Sequence, residues 1–158
     1  MTIQAQYWVH APDQPPAEHV ATLATPEQVR EFVTLLSRSQ ISDAILTHTR
    51  RPRIETLIPD EDDPEAFLTV PDHSLIVGIH GEHGALSYQG NDGHGIDPVH
   101  LYSHGNGPEM AALYETDEFP PHCEVEIDTI TEALVAFLQT AKRPVTLAWQ
   151  SAYDSAPQ

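Results

Sequence analysis

The sequence predicts an α+β domain, a mainly antiparallel sheet packed with two amphipathic helices. Two observations predict it. Segments near 25–39 and 128–141 carry helix start signals followed by apolar residues spaced three and four apart. Between them lie short strand-like runs separated by Gly, Pro, Asn and Asp. A length of 158 residues, 40% of them apolar, suits one such domain with its own core. Residues 1–150 are expected to form it and 151–158 to be a flexible tail.

Ile3 to His10 is β-branched and aromatic and reads as a strand. Ala11 to Thr22 contains prolines and reads as a loop. Thr25-Pro26-Glu27-Gln28 starts a helix: Thr25 caps it, Pro26 suits the first helical position and Gln28 completes a capping box. Val29, Phe32, Val33 and Leu36 then share a face. Asp43 to Thr49 reads as a strand with Ala44, Leu46 and His48 on one side. Arg50 to Glu65 is too charged and too proline-broken for core. Ser74 to His80 is almost continuously apolar, as in a central strand. Residues 80–84 turn it back into a partner strand at 85–88. Residues 90–98 form a polar loop, and Val99 to His104 alternates as a strand. After the turn at 105–108, residues 111–118 read as a further strand, stopped by Phe119-Pro120-Pro121. Asp128 is expected to cap the second helix, whose apolar face carries Ile130, Leu134, Phe137, Leu138 and Ala141. Pro144 ends it, and Val145 to Trp149 reads as the last strand.

Twenty-four Asp and Glu against seven Lys and Arg give a formal charge of −17. Such a chain is repelled by nucleic-acid phosphates and by anionic membrane surfaces, so neither is an expected partner. The absence of a signal-peptide pattern or a long apolar run predicts a cytoplasmic location. From Ile54 to Ala141 there is no Lys or Arg, and that stretch carries 18 of the 24 carboxylates. Self-repulsion on this scale destabilises a compact state, which suggests a use in attracting a basic partner. The bland alternative is that the charge only keeps the protein soluble.

Chemistry-bearing residues are few. Seven of ten histidines fall in the acidic stretch. His80 and His83 flank a turn, and His100 and His104 share one side of a strand. They are weak candidates for zinc or nickel, because their spacing matches no established ligand set. No cofactor is expected. Cys123 is the single cysteine, and its carboxylate-rich surroundings disfavour a reactive thiolate. No nucleophile elbow or phosphate-binding glycine loop is present, so no catalytic residue is assigned. Tyr102 and Tyr114 are expected near the surface, as interface anchors.

Several motifs come in a characteristic order. They are Gly84-Ala85-Leu86-Ser87-Tyr88, then Phe119-Pro120-Pro121, then a helix with Phe137-Leu138, then Arg143-Pro144, then Trp149-Gln150. Together they resemble the actinobacterial immunity-protein family numbered first among the Imm families, over about Leu75 to Gln150. This chain has Ala141 where that family has glycine ahead of its Arg-Pro pair. The resemblance implies a non-enzymatic antidote that binds a cognate polymorphic toxin, often a nuclease or nucleic-acid deaminase. The matching residues look structural, so charge placement alone suggests the contacts: Asp60, Glu61, Asp62, Asp63 and Glu65, with Asp117 and Glu118 as a second patch. Rival readings are a His- and carboxylate-rich metal-binding protein or hydrolase, and a generic acidic interaction domain.

Overall fold

The computed structural model describes residues 1–38, 41, 43–57, 67–94, 98–108 and 119–151. Over these described residues it is an α+β domain with one large antiparallel sheet and two helices. Strands β1 (Ile3–Val9), β2 (Ala17–Leu23) and β3 (Ala44–His48) form one side of that sheet, with β1 central and β2 at the edge. Helix α1 (Pro26–Leu36) connects β2 to β3. Among the described residues, strands β4 (Arg53–Leu57) and β5 (Phe67–Pro71) pair only with each other. The chain re-enters the sheet as β6 (His73–His80), which pairs with β3 and, along its whole length, with β7 (His83–Gly90). Next come β8 (Val99–His104), the short β9 (Val125–Glu126), helix α2 (Ile127–Thr140) and β10 (Ala148–Ser151). The large sheet runs β10-β8-β7-β6-β3-β1-β2, with β9 on the free part of β7.

Both helices pack on one face of the sheet and on each other. Alternation delivers Ile3, Ala5, Ala44, Leu46, Leu75, Val77, Leu86 and Tyr88 to that face. They meet Val29, Phe32, Val33 and Leu36 of α1, and Ile130, Leu134, Phe137 and Leu138 of α2. Each such buried large side chain contributes about 1.5–3 kcal/mol relative to exposure. Gly84 lets α2 approach β7: a Cβ there would lie 2.7 Å from the Gly78 carbonyl oxygen and 3.1 Å from Ile130.

Three readings of the sequence need correction. The 11–22 loop contains β2, an edge strand in which only Leu23 is buried and Val20 is 61% exposed. Its pairing with β1, not any apolar pattern of its own, makes it a strand. The charged 50–65 segment contains β4, and Ile54 there is 48% exposed, in keeping with a segment too charged for core. Asp128 is not the cap of α2. Glu126 stands at that position without a side-chain cap bond, and Asp128 lies in the first turn, where a negative charge favours the helix dipole. The final strand is Ala148–Ser151, and Val145 is 71% exposed. Thr25 does cap α1, accepting the Gln28 N–H at 3.2 Å. Gln28 reaches back to the Ala24 N–H at 2.7 Å, one residue before the cap. The strand read at 111–118, and the tail beyond Ser151, lie outside the described residues.

Candidate functional site

The seven acidic residues read as partner contacts, Asp60, Glu61, Asp62, Asp63, Glu65, Asp117 and Glu118, lie outside the described residues, as does Tyr114. In the chain the 60–65 run falls between the end of β4 and the start of β5. Tyr102 is 5% exposed and packs edge-on against Phe119 at 5.3 Å, so it is not a surface anchor.

The four candidate metal histidines are not brought to one point. His80 and His83 pair across the β6–β7 turn, and both are exposed. His100 tilts against Tyr102 at 4.9 Å. His104 and His83 line a cavity of about 370 Å³ together with Glu124 and Glu126. Among the described residues no three His, Cys, Asp or Glu side chains are grouped to hold a metal ion. Cys123 is fully buried against Ala85 and Phe119. Burial, and then the neighbouring Glu124 carboxylate, push its thiol up to about 12, far from thiolate chemistry.

The densest polar constellation sits elsewhere, where β3, the start of β6, the 91–94 loop and the end of α2 meet. His48 and His73 are buried side by side on neighbouring strands. The His48 N–H donates to His73 Nε2 at 2.9 Å, so the His73 proton sits on Nδ1, which donates to Asp72 Oδ1 at 2.9 Å. The Arg50 N–H donates to His48 Nδ1 at 3.1 Å, leaving His48 Nε2–H to donate to the Leu138 carbonyl at 2.8 Å. Each ring is therefore satisfied only when neutral. Burial lowers both histidine pKa values, although the Leu138 carbonyl and Asp72 oppose it. The Phe137 ring meets both imidazoles edge-on, at 5.6 and 5.7 Å. Arg51 pairs with Asp72 at 2.7 Å, with the two side chains 9% and 8% exposed. It also donates to the carbonyls of Asn91 and Ala141. Asp92 is fully buried and accepts from the His94 N–H at 2.8 Å. Burial alone would raise its carboxyl; the His94 N–H and the Arg143 guanidinium outweigh it and hold the pKa below the ordinary value.

Sequence reasoning missed most of this corner. Charged residues flanking prolines read as surface, and nothing local showed that Arg51 and Asp72 would meet. The usable signal was alternation, since His48 follows Ala44 and Leu46 on the inward side and His73 precedes Leu75 and Val77.

The motif residues connect this corner to the rest of the sheet. Leu86 and Tyr88 are fully buried, and the Tyr88 hydroxyl donates to the Asn91 carbonyl at 2.6 Å. Pro120 is buried, and the carbonyl of exposed Pro121 accepts from Gln150 at 3.1 Å. Leu138 lends its carbonyl to His48. Arg143 lies 3.5 Å from Asp92 and 5.7 Å over the Trp149 ring. The Trp149 indole donates to the Pro144 carbonyl at 2.7 Å. Ala141 adopts φ 61, a left-handed helix end that favours glycine and explains why this position departs from the motif at a cost.

No described helix is long and apolar enough to cross a membrane. A search of curated proteins finds no match to this chain. The profile of the family described as Immunity protein Imm1 matches residues 17–151, from β2 through β10 and so across nearly the whole fold. The chain therefore belongs to the Imm1 immunity protein family of toxin systems.

Proposed function

We propose that this protein acts in the cytoplasm as a cofactor-free, non-catalytic antidote to one cognate toxin. That toxin is a basic nuclease or nucleic-acid deaminase, and the antidote meets it through acidic surface. Family membership supports binding to a toxin. The single observation that carries the finer reading is the 54–141 stretch, with 18 carboxylates and no Lys or Arg. A toxin that grips nucleic acid offers a basic groove, and an opposite field speeds encounter toward about 10⁸–10⁹ M⁻¹s⁻¹ at low salt. Speed matters to a cell that makes a lethal enzyme. Asp60, Glu61, Asp62, Asp63 and Glu65 are the proposed contact run, with Asp117 and Glu118 beside it in role.

The test is stopped-flow association with the cognate toxin domain. Replacing Asp60, Glu61, Asp62 and Asp63 by Asn or Gln should lower the association rate about tenfold at low salt and flatten its salt dependence. An unchanged rate and salt slope would show that the contact run is misplaced.

A further inference from the structure

Few cations exist on this chain, and the fold gathers most of them. Of its seven Lys and Arg, Arg50, Arg51 and Lys142 line one cavity of about 370 Å³, and Arg143 follows directly in the chain. The inner two are committed to structure: Arg51 to Asp72, Asn91 and Ala141, and Arg143 to Asp92 and Trp149. The outer two are bound less: Arg50 Nη1 donates to the sulfur of exposed Met1 at 3.3 Å. Arg50 and Lys142 are exposed, and among the described residues neither has a carboxylate within ion-pair distance. The end of α2 does not need them either. Its Leu138 carbonyl accepts from His48, its Phe137 carbonyl from the Ala141 N–H, and the following Ala141 carbonyl from Arg51.

The corner is also held rigid. Arg51 ties residues 91 and 141 together, and the Arg143 N–H donates to the Asp92 carbonyl at 2.8 Å. Gly93 has φ +84, and a Cβ there would lie 2.6 Å from Arg51 Nη1 and 2.8 Å from Lys142 Cγ, so only glycine lets the loop lie against both cations. The backbone beneath Arg50 and Lys142 is thereby fixed, while their exposed side chains still give up rotamer freedom on binding.

We propose that Arg50 and Lys142 form an anchor for carboxylates on an acidic segment of the partner protein. This rests on the immunity reading and gives the interface a second, opposite-signed contact. Small-ligand sites bury most of their ligand, whereas this cavity is edged by exposed side chains, which suits groups presented on another protein's surface. An acidic antidote with one sign of charge attracts any basic protein. A cationic corner on a fixed backbone favours one orientation and penalises partners that lack a matching acid.

The sign of the expected effect separates anchor from field. Removing two positive charges makes the protein more acidic, so a field acting alone predicts faster and tighter binding to a basic toxin. The anchor predicts the opposite. Calorimetry or surface plasmon resonance with the toxin domain should show Arg50→Ala/Lys142→Ala weakened about tenfold. Arg30→Ala/Arg38→Ala, with the same charge change at other exposed positions, should stay within about threefold, and so should the charge-preserving pair Arg50→Lys/Lys142→Arg. Thermal melting of each variant reports its folding. Equal or tighter binding by a folded Arg50→Ala/Lys142→Ala overturns the anchor and leaves the immunity reading standing. If the wild-type chain does not bind the toxin, both are overturned.

Discussion

Two groups of histidines lie in this molecule and have nothing in common but their chemistry. His83 and His104, where strands end, are exposed. His48 and His73, on β3 and β6, are buried with both nitrogens of each ring engaged. Their place beside a turn or on a shared strand side drew attention to the exposed group, although its spacing matches no established ligand set. The buried group is defined by partners far along the chain: Leu138 is 90 residues from His48. A histidine's role here follows from what the other strands and α2 bring to it, and sequence spacing has no access to that.

The contrast can be broken experimentally. The largest effect is expected from Asp72→Ala. It leaves Arg51, only 9% exposed, without its carboxylate and His73 without its acceptor, and should cost about 3–5 kcal/mol in urea unfolding. A loss below about 1 kcal/mol would mean that water reaches the corner and solvates Arg51.

An intermediate effect comes from pH. His48 and His73 have native pKa values below the unfolded value of 6.5. Below pH 6.5 the unfolded chain binds more protons than the native one, so stability is full above that pH. It falls as pH drops from 6.5 toward the lowered native values, then levels off. Asp72 draws a proton toward His73, while Arg50, Arg51 and the N-terminus repel one from His48. Urea midpoints measured from pH 8 to 5 should decline through this window, and the decline should shrink in His48→Gln. A flat profile would mean that both rings protonate in place without cost.

The smallest effect is expected at the exposed end. His83→Ala and His104→Ala should each change stability by less than about 0.5 kcal/mol in the same assay. A larger loss would make the two groups alike after all.

Local pattern located much of the fold. Thr25 and Pro26 start α1, the 3–4 spacing orients both helices, alternation identifies β3 and the inward side of His48, and a continuous apolar run with its turn identifies the β6–β7 pair. These are short-range effects of capping, periodicity and turn chemistry, written into neighbouring residues. The edge strand β2 and the β4–β5 pair were not legible, since their pairing partners rather than their own composition make them strands. Nor was the corner where Arg51, Asp72, Asp92 and Arg143 are drawn inward. The sequence by itself determined the class, the helix faces and the acidic stretch. Tertiary contacts chose which charges are buried and left Arg50 and Lys142 exposed beside buried Arg51. A charged group leaves water when a partner from distant chain meets it at hydrogen-bond range, and the fold alone sets that distance.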